Sequence, residues 1–149
     1  MFSSFQKNYQ KRVDDGESAA TVIAEEYHNA IKAGKSTLGG TFKTGKKGAL
    51  EKALKISLDS MGAIPLPLAL TQGLIAYWTG AVYVYTPPLV TGPTPLVPGV
   101  PPPMIMPAPS PVAGILPVFI AHLPTIVSTP VTPSPGGPVP TPDVGFIPG

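Results

Sequence analysis

Glu25 and His28 stand three residues apart in Glu25-Glu26-Tyr27-His28, the spacing with which di-iron helical bundles turn two ligands toward one ion. Such a site needs a second copy of the pair and two more inward-facing glutamates. The chain has one other histidine, His122, and it lies in a proline-rich region. Because Glu25 and His28 also flank an apolar helical stripe, a solvated helix face accounts for them better than a metal does. Gly40 and Gly45 have the gap of a Walker-type phosphate loop, with Lys46 next. That loop needs a hydroxyl for Mg²⁺ after the lysine and a buried strand before the first glycine. Lys47 takes the hydroxyl's place, and a helix-ending segment, Ala33 to Thr37, precedes the loop, so residues 34 to 48 read as a connector. Two histidines and a late Asp143 leave too few partners for a nucleophilic triad. Asp14 and Asp15 are adjacent and turn-forming, so capping explains them. Without cysteine there is neither a disulfide framework nor a thiolate metal site. These residues predict a non-enzymatic chain with no cofactor, no metal and no small-molecule substrate.

The distribution of charge and proline is the chain's strongest signal. All 22 prolines lie at or after Pro65, and beyond Asp59 the only charged side chain is Asp143. All ten basic residues fall between Lys7 and Lys55, with seven of the eight acidic residues in the same half. That mixture lacks the one-signed face nucleic acid requires, and Lys43, Lys46 and Lys47 make a weak patch, so nucleic-acid binding is not expected. Residues 1 to 12 are polar and carry no apolar h-region, which argues against a secretory signal.

Periodicity then places the elements. Phe2, Phe5 and Tyr9 suggest a short amphipathic helix within residues 1 to 14, broken at Asp14-Asp15-Gly16. Ala19, Val22, Ile23, Tyr27, Ala30 and Ile31 share one stripe and predict a helix from Glu17 to Ala33, with Glu17 in its first turn and Gly34 after its end. Leu50, Ala53, Leu54, Leu58 and Met61 predict a third helix over 48 to 61, ended by Gly62, with Glu51 and Lys55 paired i, i+4 outside. Residues 68 to 86 are uncharged and proline-free, just long enough for a bilayer span. Trp78 and Tyr77 sit at the centre of that segment, away from an interfacial belt, which favours a buried helix over 66 to 80 and an extended stretch from Ala81 to Tyr85.

Beyond Thr86 proline forbids helices of ordinary length, because it fixes φ, lacks an N–H and pushes its predecessor toward extended geometry. Pro101-Pro102-Pro103 reads as polyproline II, and Val112 to Leu123, interrupted by Pro117, as a short strand or a helical turn. The expected fold class is a mainly α N-terminal half of three to four short helices followed by an extended, proline-rich, irregular or polyproline II arm. The expected boundary falls between a helical domain, 1–86, and an assembly arm, 87–149. Proline density without charge lacks the signature of solvated disorder, so neighbouring chains are expected to cover the arm. Its contacts are expected at Val100, Met104, Ile105, Ile115, Phe119, Ile126 and Phe146, with Leu74, Tyr77 and Trp78 from the fourth helix. On this reading, removing residues 87–149 leaves the helices intact but prevents assembly.

The run Ala24-Glu25-Glu26-Tyr27-His28-Asn29-Ala30-Ile31, the Gly-rich loop, the Lys-Lys-Gly-Ala-Leu helix start, Leu74-Ile75-Ala76-Tyr77-Trp78-Thr79-Gly80 and the proline-rich tail together resemble small virion structural proteins of tailed bacteriophages. The resemblance implies a virion component, tail or baseplate more than capsid surface, without catalytic residues. Its partners would be further copies of itself, other virion proteins, or both. One alternative is a membrane-associated protein spanning at 68–86. Another is a surface filament modified on Thr86, Thr91, Thr94, Thr129, Thr132 and Thr141, which lie beside or near prolines.

Overall fold

The apolar stripes of the first half form helices that pack on one another in the computed structural model, which describes residues 2, 4–58, 64–87, 89, 93–106 and 110–149. Helix α1 (Phe5–Asp14) buries Phe5 and Tyr9 and stops before Gly16, whose φ of 93° an L side chain would resist. Helix α2 (Ala19–Ala33) buries Val22, Ile23, Tyr27 and Ile31. It starts after Glu17, whose carboxylate pairs with Arg12 across the α1–α2 turn. Helix α3 (Lys47–Leu58) buries Leu50 and Leu54 and carries the Glu51–Lys55 pair at 3.1 Å. Met61 and Gly62, expected to finish it, lie outside the described residues. Helix α4 (Leu66–Trp78) has Pro67 in its first turn, where a missing N–H costs nothing, and buries Leu70, Leu74, Tyr77 and Trp78.

The region read as a connector holds two strands, β1 (Lys35–Ser36) and β2 (Thr41–Lys43). Strand β3 (Val82–Val84) follows α4, as the extended stretch predicted, and β4 (Thr94–Val97) comes next. Then follow α5 (Pro111–His122), β5 (Val127–Ser128), β6 (Val131–Thr132), β7 (Val139–Pro140), β8 (Asp143–Val144) and β9 (Phe146–Ile147). Five of these strands make an antiparallel sheet in the order β2-β3-β4-β5-β8, while β6 pairs β7 and β1 pairs β9. Gly145, at φ 96°, joins β8 to β9; its N–H donates to the Ile126 carbonyl and its own carbonyl accepts from Thr37 N–H. The Ser36 N–H donates to the Gly40 carbonyl, turning β1 into β2. The β1–β9 pair therefore links one edge strand, β8, to the other, β2, and curls the sheet back on itself.

The extended arm expected for residues 87–149 is thus overturned: this half supplies a helix and most of the strands of a mixed α/β fold. Proline excludes long helices, yet its φ still falls at the edge of the broad β region, and the extended bias it imposes on its predecessor suits short strands. Pro95 stands within β4 opposite Val82, and its carbonyl accepts from the Ser128 hydroxyl. Strands of two residues fit between the prolines, as β5 and β6 do, while β4 and β7 take in Pro95 and Pro140.

Helix α5 corrects a second expectation, that Pro117 reduces 112–123 to a strand or a single turn. Pro111 opens the helix, and the Ser110 hydroxyl caps it by accepting from Ala113 N–H at 3.2 Å. Pro117 is exposed, as is Ala113, whose carbonyl loses its helical donor to the proline ring and can be hydrated instead. Burial of Val112, Ile115, Val118 and Phe119 on the opposite side offsets that loss at about 1.5–3 kcal/mol per side chain. Pro117→Ala restores the missing donor, against a smaller loss of rigidity in the unfolded chain. It is expected to raise stability by about 1–2 kcal/mol, read from the urea midpoint.

One core holds both halves together. Tyr27 of α2 packs on Phe119 of α5 at a centroid distance of 4.4 Å and on Tyr77 of α4 at 5.0 Å. Trp78 packs on Phe146 at 5.7 Å and donates its indole N–H to the Tyr27 hydroxyl at 2.8 Å. The expected boundary at 86/87 is crossed by this aromatic column and by the β3–β4 pairing.

Candidate functional site

The residues singled out for chemistry separate in space. Glu25 and Glu26 turn to Arg12, which also binds Glu17. Held among three carboxylates, the guanidinium is driven further toward its charged form, first by Glu17 and then by Glu25. His28 instead meets the Tyr77 hydroxyl through Nδ1 at 2.7 Å. Among the described residues no group of three His, Cys, Asp or Glu side chains is placed to hold a metal. Gly40 and Gly45 stand on either side of β2, and the Lys46 N–H donates to the Tyr77 carbonyl, so the segment does not wrap a phosphate as a Walker loop would. His122 is fully buried, and Nε2 contacts the Gly99 carbonyl at 2.8 Å. A carbonyl only accepts, so this nitrogen carries the imidazole proton.

Of the side chains expected to contact neighbours, Leu74, Tyr77, Trp78, Met104, Ile115, Phe119, Ile126 and Phe146 are buried within the chain itself. Val100 and Ile105 are 78% and 82% exposed, which leaves these two open to a partner. The segment 68–86 divides into most of α4, a turn at Gly80 and β3. No described helix is long and apolar enough to cross a membrane.

The sheet displays a surface that the chain's proline pattern obscures. Strand side chains alternate, so Phe42, Tyr83, Leu96, Ser128 and Asp143 face inward while their neighbours face out. Register places Val97 opposite Val127, and Val127 opposite Val144. Three valines therefore form one row across β4, β5 and β8. Val97 and Val144 are 70% and 54% exposed. Beside this row stand Pro95 and Val82, then Val84, and the outer face meets charge at Lys43 of β2. The sequence signal was the alternation Thr94-Pro95-Leu96-Val97, with a proline at an outward position where its ring faces solvent.

Comparison of the chain with family models, with curated proteins and with solved structures found no match.

Proposed function

We propose that the protein is a non-enzymatic structural subunit of a phage particle, of the tail or baseplate rather than the capsid surface. It contacts further copies of itself or other virion proteins through the outer face of β4, β5 and β8. The observation that carries the contact is the uncharged row Val97, Val127 and Val144, followed along the chain by exposed Val100, Ile105 and Met106. An exposed apolar surface of this kind favours association, because covering it removes apolar area from water without stripping hydration from a charge. The assignment to a phage particle is supported by the sequence resemblance described above. The lacing arm has no part in it: the surface is now a sheet face and the segment after β4.

Val97→Lys and Val144→Lys test the reading. Both sites are exposed, so each change is expected to alter stability by no more than about 0.5 kcal/mol in a thermal melt. Each should also prevent self-association in sedimentation and recovery with purified particles. Wild-type chain that stays monomeric at high concentration and is absent from particles would overturn the proposal.

A further inference from the structure

A second surface of opposite character lies where α2 meets β2. His28 and Lys32 of α2, Thr41, Phe42 and Lys43 of β2, and Thr44 and Gly45 after it line a cleft of about 470 Å³. Among the described residues neither Lys32 nor Lys43 has a carboxylate within ion-pair distance, because the acidic side chains nearby are engaged elsewhere. Glu25 and Glu26 serve Arg12, Glu25 also Lys47, and Glu51 serves Lys55.

The walls are held firmly. The Phe42 ring stacks on Tyr77 with an interplanar angle of 1°, and Gly45 backs onto both rings so closely that a Cβ would collide with them. Thr44 takes φ 63°, a left-handed conformation that a β-branched residue rarely adopts, and its hydroxyl donates to the Lys43 carbonyl at 2.7 Å. The Tyr77 hydroxyl fixes the His28 ring; when it donates to Nδ1, the neutral imidazole carries its proton on Nε2. Burial lowers the His28 pKa, and the ammonium charges of Lys32 and Lys47 lower it further, so the cleft sits in a field that favours anions.

We propose that this cleft is a binding site for a compact oxyanion of the phosphate type, held by the ammonium groups of Lys32 and Lys43 with His28 as a third donor. Lysine serves phosphate as a point charge and needs no fork geometry. The Thr41 hydroxyl donates to the Val84 carbonyl at 3.1 Å, which, with the Thr44 bond, leaves Lys32, Lys43 and His28 as the side-chain donors available to the ligand.

Inorganic phosphate, titrated into the full-length chain at constant ionic strength, is the probe, with the His28 imidazole followed by NMR. His122, outside the cleft, serves as the internal reference. The expected result is a saturable shift of His28 alone and a raised His28 pKa in the bound state. Lys32→Ala and Lys43→Ala should each weaken phosphate binding about tenfold, the scale of one lost charge-assisted contact. Lys35→Ala, outside the cleft, should leave it unchanged. Both cleft lysines are exposed, and unchanged circular dichroism is expected for both variants. A shift that fails to saturate, that chloride reproduces, or that survives both cleft substitutions overturns the site. A response to a single-stranded DNA oligonucleotide without one to phosphate would overturn the compact-anion assignment in favour of a nucleic-acid backbone.

Discussion

A chain ended at residue 86 is expected to lose its helical circular dichroism and its cooperative melt. The sequence pattern alone points the other way, since α2 and α3 each carry an apolar stripe and could pack locally. The structure removes that independence, because the helices bury their largest side chains against the second half. Tyr27 would lose Phe119, Trp78 would lose Phe146, and β3 would lose its partner β4. Ile115, Phe119, Ile126 and Phe146 are all at most 4% exposed. At a minimum of about 1.5 kcal/mol for each buried side chain, these four alone contribute about 6 kcal/mol. A domain's whole stability is about 5–15 kcal/mol, so the truncated chain has too little left to fold. Far-UV circular dichroism of residues 1–86 beside the full chain checks this. A sigmoidal melt with native helical content in the short chain would show that the two halves fold separately.

The helices of the first half were legible because their signal is local. In α2 the stripe Val22, Ile23, Tyr27 and Ile31 needs only a period of 3.6 to be seen, and the helix predicted over 66 to 80 stops, as α4, just before Gly80 takes a positive φ. The pairing of the sheet was not legible because its strands are two to four residues long and pair across large separations, as Phe42 does with Tyr83. No window of sequence contains both partners. Proline density suggests an irregular or polyproline II arm, yet proline excludes only the helix interior and the hydrogen-bonded sides of strands. Pro117 shows that even the first exclusion yields where the ring and the orphaned carbonyl face solvent. The expected contact residues are apolar, and apolar type marks core side chains as readily as surface ones. Phe119 and Phe146 satisfy the tail's need for cover from within the chain. Outward-facing Val97 and Val144 are marked only by strand register, which residue type does not show. The weak patch that Lys43, Lys46 and Lys47 suggest leaves out Lys32, which lies on another element and joins Lys43 in the cleft only through the α2–β2 packing.

Asp143→Ala is expected to destabilise the fold by about 2–4 kcal/mol, a large effect for one residue near the chain's end. Asp143 is completely buried, and its carboxylate gathers three parts of the curled sheet. Oδ1 accepts from the Leu38 N–H at 3.1 Å, in the turn between β1 and β2. Oδ2 accepts from the Tyr85 hydroxyl, just beyond β3, while Asp143 itself begins β8. Burial, then the bond to Asp143, pushes the Tyr85 hydroxyl up to about 12, so it remains a donor throughout the ordinary pH range. Alanine would take the carboxylate acceptor from the buried Tyr85 hydroxyl and from the part-buried Leu38 N–H, each loss costing about 1–2 kcal/mol. Asp143→Asn keeps the shape and one acceptor oxygen for Leu38, and should cost less than alanine. Tyr85→Phe removes one donor and deprives the carboxylate of a bond, for about 1.5–3 kcal/mol. If the carboxylate clasps the turn, β3 and β8 together, the double variant Asp143→Ala with Tyr85→Phe must cost less than the sum of the two single changes, because both break the same bond. Urea midpoints of the three variants measure that coupling. Strict additivity would mean that Asp143 and Tyr85 act independently, and that sheet closure rests on the β1–β9 pairing and Gly145 without the buried carboxylate.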